Sequence, residues 1–302
     1  MKKIKAIALV LAVAMLAGIF AGCSKTTKLT TAKFTKACEK LKLEEVDIEA
    51  SGGEITDDIE DGIYCVADEE YIEDEPEQVK YILDDFGLGD VIDVDDVKSI
   101  GFAIKLKGAD DLDDLSDPED IADAVVDGAF ATIIELDNNY VGDVMDFAED
   151  MLDTYGIDTK DLTNKEYFVS KNDGYVRFHI DIAKLMKIVL ENDDIMDLVG
   201  TAYDEDDFED LCKELSGDVA VTIDVNSSCV FILVGGSLNT KPATLNSFAS
   251  AFGVASNPTK IPMNNKFIEG FIEDTIENYG DLAYDDYDDY DYDYDDYDDE
   301  DI

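Results

Sequence analysis

Apolar positions recur along this chain with two different periods. Three stretches space apolar residues three or four apart and then stop at a glycine followed by another apolar residue: 76–86 before Gly87-Leu88, 141–155 before Gly156-Ile157, and 245–252 before Gly253-Val254. Glycine takes the left-handed position and the next apolar side chain folds back, so these spacings predict helices with glycine C-caps. Phe34-Cys38-Leu41 and Phe208-Cys212-Leu215 are shorter stripes with the spacing of one helix face. Between the helices lie alternating or continuous β-branched runs at 99–107, 129–136, 167–170, 175–180, 218–225 and 229–234, which predict strands. Asp173-Gly174 predicts a two-residue hairpin turn, and Asn226-Ser227-Ser228 closes a second hairpin.

Hairpins beside helices favour an α+β fold, with antiparallel sheet covered on one face by amphipathic helices. Residues 76–157 and 204–254 share the order helix, strand, strand, helix, with an acidic insertion at 109–127 in the first. That order reads as a loose internal duplication, and common α+β grammar explains it equally well. The expected organisation is two α+β units, 32–160 and 161–280, between terminal segments of other character.

The N-terminal segment is of that other character. Lys2, Lys3 and Lys5 precede an apolar run at 6–20, then small residues Ala21 and Gly22, then Cys23. This charge, apolar and small-residue order is that of a secretory leader, and the run falls short of the roughly 20 residues of a spanning helix. The stretch Ile19-Phe20-Ala21-Gly22-Cys23 resembles the lipobox of bacterial lipoproteins, with Phe20 where Leu is usual. The resemblance implies cleavage after residue 22, lipidation of Cys23, a polar tether over 23–31 and a membrane partner reached through acyl chains. Two or three such chains anchor stably where one is marginal. The alternative is an uncleaved N-terminal membrane helix. Further along, Leu215-Ser216-Gly217-Asp218-Val219-Ala220-Val221 with its hairpin and following helix resembles repeats of uncharacterised extracytoplasmic lipoproteins, which implies no activity.

Charge then narrows the partners. The chain of 302 residues has 74 acids against 23 lysines and arginines. Removing the leader takes three lysines and no acid, leaving 20 bases and a formal charge of −54. Such a surface repels phosphate backbones and excludes nucleic acid as a partner. At 281–302 the sequence holds 13 acids, six tyrosines and no base, so like charges at every second or third position predict a disordered tail. Four cysteines follow Cys23: Cys38 and Cys212 in helical stripes, Cys65 and Cys229 in strand-like runs. Those contexts favour free core thiols over disulfides. No Cys/His spacing supports zinc.

Candidate chemistry is sparse. His179 and Arg177, the only histidine and arginine, share one strand face with Tyr175, which admits a small anion-binding or acid/base site. The simpler account is a solvated sheet face where Arg177 pairs with a nearby carboxylate. The stretch Asp57-Asp58-Ile59-Glu60-Asp61-Gly62 approaches a calcium loop but carries Ile59 where an oxygen ligand belongs. No cofactor is implied, and calcium enters only as weak, multi-site binding at 110–120 and in the tail. Among the tail tyrosines, Tyr287, Tyr290, Tyr292 and Tyr294 alternate with aspartates in a way that suits a cationic protein or peptide. A solubilising tail is the plainer reading. The sequence therefore favours a lipid-anchored extracytoplasmic binding or interaction module at the cell membrane over an enzyme. A low-affinity divalent-cation binder comes second, and an enzyme using the His179 face third.

Overall fold

The protein is described by a computed structural model at residues 28–46, 59–108, 118–154, 158–163, 165–192, 196 and 205–254. The leader, Cys23, Asp57 and Asp58 of the calcium-like loop, the Gly156 cap, most of the acidic insertion and the tail tyrosines lie outside the described residues.

The chain begins with α1 (Thr31–Leu41), β1 (Glu44–Glu45) and β2 (Ile63–Ala67), then α2 (Glu69–Asp74) and α3 (Pro76–Asp85). There follow β3 (Val97–Lys107), α4 (Pro118–Asp123), β4 (Val126–Leu136) and α5 (Val141–Thr154). The second half runs β5 (Tyr167–Val169), β6 (Asp173–Asp181), α6 (Ile182–Leu190), α7 (Glu205–Glu214), β7 (Gly217–Asn226), β8 (Cys229–Leu238) and α8 (Ala243–Phe252). These strands form one eight-stranded sheet in the order β1-β2-β3-β4-β8-β7-β6-β5. All neighbours are antiparallel except β1 with β2. The fold is α+β.

The order is palindromic about the β4–β8 seam. Each half supplies an outer strand, a helical connection, and a hairpin whose last strand reaches the centre: β2, β3 and β4 on one side, β6, β7 and β8 on the other. The expected helix-strand-strand repeat is present in this sense, with both copies in one sheet. The closing helices differ, because α5 and α8 pack into opposite layers.

Helices cover both faces of the sheet, where one covered face was expected. Side chains alternate across a strand. Ile100, Ile134, Val176, Phe178 and Val225 therefore face one way, into a core shared with α2, α3, α5, α6 and α7. Ala103, Ile133, Ala220, Phe231 and Leu233 face the other way, against Phe34 and Cys38 of α1 and Leu245, Phe248 and Phe252 of α8. We call this second side the α1/α8 face. Phe252 stacks on Phe34 with ring centres 5.0 Å apart, which joins the two helices.

Local chemistry explains the element ends. Gly87 and Gly253 have φ of +68° and +74°, and Leu88 N–H donates to the Leu83 carbonyl at 2.7 Å, as a glycine-capped helix end requires. The two-residue loop Ser227-Ser228 joins β7 to β8 as expected. Asp173-Gly174 is not the turn. Both residues belong to β6, and the chain reverses at Lys171-Asn172, where the Ser170 hydroxyl accepts from Asn172 N–H and Asp173 N–H. Gly174 is there for packing: a Cβ at this position would stand 2.6 Å from Met145 Cγ of α5.

Neither α1 nor α8 has a capping side chain from its own N-cap residue. Two carboxylates on β4, eight residues apart and thus on the same face, do that work instead. Glu135 Oε2 accepts from Thr31 N–H and the Thr31 hydroxyl, both at 2.9 Å. Asp127 accepts from Thr244 N–H at 3.0 Å and from the Thr244 hydroxyl at 2.7 Å. One central strand therefore caps both helices of the α1/α8 layer, from its opposite ends.

Candidate functional site

Tyr175, Arg177 and His179 project from β6 onto the α1/α8 face, and the register sets opposite them Asp224, Thr222 and Ala220 of β7. The face is not solvated at Arg177: its side chain and that of Asp224 are both 0% exposed. The guanidinium donates through Nε to Asp224 Oδ1 at 2.7 Å and through Nη2 to Asp224 Oδ2 at 2.6 Å, a bidentate pair. The Tyr175 ring lies 4.3 Å from Arg177 Cζ, and Phe168 stacks on Tyr175 at 5.4 Å. Thr222, directly opposite Arg177, has a buried hydroxyl oxygen with no hydrogen-bond partner among the described residues. Arg177 is thus engaged in an internal ion pair, and anion binding there would have to begin by breaking it.

His179 lies two residues along the same face, toward the end of the sheet. Its Nε2 is 3.2 Å from Asp218 Oδ1 on β7, and the side chains are 11% and 27% exposed. Burial pushes the Asp218 carboxyl above the ordinary carboxylate range; His179 opposes that shift and the neighbouring charge of Asp181 adds to it. Asp181 stands directly opposite Asp218 in the register, with the two side chains on one face. It also caps α6, accepting from Lys184 N–H at 3.1 Å.

Following the register across the sheet from this pair gives a row of polar residues along one edge of the α1/α8 face. Asp181 of β6 opposes Asp218 of β7, Asp218 opposes Ser237 of β8, Ser237 opposes Asp127 of β4, and Asp127 opposes Lys107 of β3. Five strand ends thus bring three carboxylates, a hydroxyl and an ammonium to one border. The border opens into a cleft of about 920 Å³ lined by Lys107, Asp127, Asp181, Asp218, Asn239 and Lys241, among others.

Not every lining group is free to meet a ligand. Asp127 holds the first turn of α8. The Ser237 hydroxyl donates to the Thr240 carbonyl at 2.9 Å. Asn239, at a φ of +51°, fixes the wall: its Nδ2 reaches the carbonyls of Ile121, Ala122 and Ala124 at 2.7–3.2 Å. Its Oδ1 accepts from Ser216 N–H at 3.1 Å. Lys107, Asp181 and Lys241 are exposed and Asp218 is half-buried. Neither lysine has a carboxylate within ion-pair distance among the described residues.

None of Cys38, Cys65, Cys212 and Cys229 forms a disulfide. Burial pushes Cys38 and Cys212 up to about 12 and Cys229 up to about 11, so they stay protonated. Among the described residues no group of three or more His, Cys, Asp or Glu side chains could hold a metal ion. Among the same residues no helix is long and apolar enough to cross a membrane.

Of the two binding residues expected on the β6 face, His179 backs the cleft through Asp218 and Arg177 is sealed behind it. Asp181, Asp218, Lys107 and Lys241 were missed. Each is one acid or lysine among many, and only strand register shows that they converge. Comparison with protein families, curated proteins and solved structures found no match.

Proposed function

We propose that the chain is an exported, lipid-anchored binding module that takes a small polar ligand into the cleft at the Asp218 end of its sheet. The leader and the Gly22-Cys23 junction support the address. One observation carries the binding reading: an open cleft walled by five strand ends, whose remaining solvent-facing charges are of both signs, beside buried ionisable groups that are already paired. Pre-formed concavities with a few convergent polar groups are where small ligands bind.

Catalysis at His179–Asp218 is the second reading, because a histidine oriented by a carboxylate is a general-base arrangement. Against it, the serine of the row is tied to a backbone carbonyl, and burial raises the Cys38, Cys212 and Cys229 thiols. Binding is tested by thermal-shift screening of polar metabolites and peptides against the lipid-free mature protein, with Asp218→Asn and Lys241→Gln run in parallel. A ligand that stabilises the wild type and loses its effect in both variants supports the cleft. Ligands that stabilise all three equally place the binding site elsewhere. Turnover of any ligand that stops in His179→Ala would move the second reading to first.

A further inference from the structure

We infer that the ligand of the cleft is a short peptide with free termini, its ammonium held by Asp181 and Asp218 and its carboxylate by Lys107. This rests on the cleft being the binding site, and it goes further by naming what binds there.

The row has a charge at each end: Asp181 and Asp218 on β6 and β7, and Lys107 on β3, with Asp127 between them already bound to Thr244. The acidic side is in conflict as it stands. Like charges directly opposite one another on neighbouring strands are destabilising, and Asp181 and Asp218 are such a pair. His179 approaches Asp218 from behind, Nε2 to Oδ1 at 3.2 Å. A primary ammonium, with three donors, would settle both carboxylates at once. Among the described residues no carboxylate lies within ion-pair distance of Lys107, and a ligand carboxylate would supply one.

Neither a simple cation nor a simple anion suits a cleft of this kind, since each leaves one side unmet. Length then separates a peptide from a single amino acid. Asp218 and Lys107 lie in the same cross-strand row with β8 and β4 between them. Three steps of about 4.8 Å put roughly 14 Å between those strands. At about 3.3 Å per residue an extended chain of roughly four residues spans that distance, and a free amino acid does not. The wall also offers no apolar pocket deep enough to select one side chain: Val125 is the large apolar residue there and is half exposed. Recognition would rest on the termini, with broad tolerance of sequence.

The test is calorimetric titration of the lipid-free mature protein with four probes: tetra-alanine with free termini, its N-acetyl form, its C-terminal amide, and free alanine. The expected result is binding of the free tetrapeptide, weakened about tenfold or more by acetylation or amidation, as loss of a charge-assisted contact would do. Asp218→Asn should abolish discrimination against the acetyl form but not against the amide. Lys107→Gln should do the reverse. Far-ultraviolet circular dichroism and melting curves confirm that each variant is folded. Equal binding of free, acetylated and amidated peptides overturns the inference, as does equal binding of alanine and tetra-alanine. Failure of all four probes, while another polar compound binds and is lost in Asp218→Asn, overturns the peptide and spares the cleft. If no polar compound senses the cleft substitutions, the inference falls together with the binding site itself.

Discussion

A guanidinium and a carboxylate with no exposed surface have exchanged water for each other, and the worth of that exchange depends on what happens when one partner leaves. Arg177→Met would leave the fully buried Asp224 carboxylate without its guanidinium. Breaking a buried pair from one side costs about 3–5 kcal/mol, while replacing both partners by apolar residues of similar size is often neutral. Urea denaturation should therefore show Arg177→Met and Asp224→Leu each strongly destabilised, and the double variant closer to wild type than either. Additive losses would mean that the two residues act through other partners. Asp218, six residues from Asp224 on the same face of β7, behaves differently because it is partly exposed. Its carboxyl titrates above the ordinary range, chiefly through burial, so the folded state holds this proton at pH values where the unfolded chain has released it. The stability it contributes is complete below the unfolded carboxyl range and is lost as pH rises through its folded value. Asp218→Asn should accordingly raise the melting temperature at pH 7 and lose that advantage near pH 4. A substitution that destabilises at pH 7 would show that the contact with His179 outweighs burial.

At the scale of elements, the two helices of the α1/α8 layer depend on a strand distant in sequence. Asp127 satisfies both the N–H and the hydroxyl of Thr244, and the α8 N-cap residue is Pro242, whose side chain offers no oxygen. Asp127→Ala should cost about 1–2 kcal/mol, the upper part of the range for lost caps, because the donors left behind are buried. Hydrogen exchange should speed up in the first turn of α8 and leave α5 unchanged; a uniform increase would mean that Asp127 supports the whole sheet. Nothing in the sequence near Thr244 announces this cap, since its partner is 117 residues away. What was legible is what short-range chemistry dictates. Gly87 and Gly253 end helices where the spacing predicted, and the Phe34-Cys38 and Phe208-Cys212 stripes lie on helices and reach the core. Asp173-Gly174 misled because Gly there serves the approach of Met145, a tertiary demand that looks like a turn signal. The second covered face did leave a trace. Runs such as Ala129-Phe130-Ala131-Thr132-Ile133-Ile134 are apolar without strict alternation, the mark of strands buried on both sides. Of the groups at and behind the cleft, only His179, which backs it through Asp218, stood out, for being unique; the residues that line it became visible only through register.

For the whole molecule, charge is the dominant quantity. A formal −51 over the 302 residues is self-repelling, and the described ion pairs that relieve it are few and, apart from Arg177–Asp224 and the His179 contact, on the surface. Surface pairs contribute about 0–1 kcal/mol each, too little to offset a field of that size. The folded state concentrates this charge in a smaller volume than the unfolded chain, so screening should favour folding. Raising monovalent salt from about 10 mM to about 300 mM shortens the screening length from about 30 Å to under 10 Å, and the melting temperature should rise over that range. Calcium at matched ionic strength separates the two origins of such a rise. Screening alone predicts the same curve for both salts. Binding to carboxylate clusters predicts an extra increment that grows with the logarithm of calcium concentration, reaching about 2.7 kcal/mol at a hundred times the dissociation constant. The tail carries 13 of the acids, so deleting 281–302 assigns any increment: one that persists belongs to the body, and one that vanishes belongs to the tail. Coincident salt and calcium curves, with and without the tail, would exclude the divalent-cation reading and leave the acidity as a property of solubility and of the partners it repels.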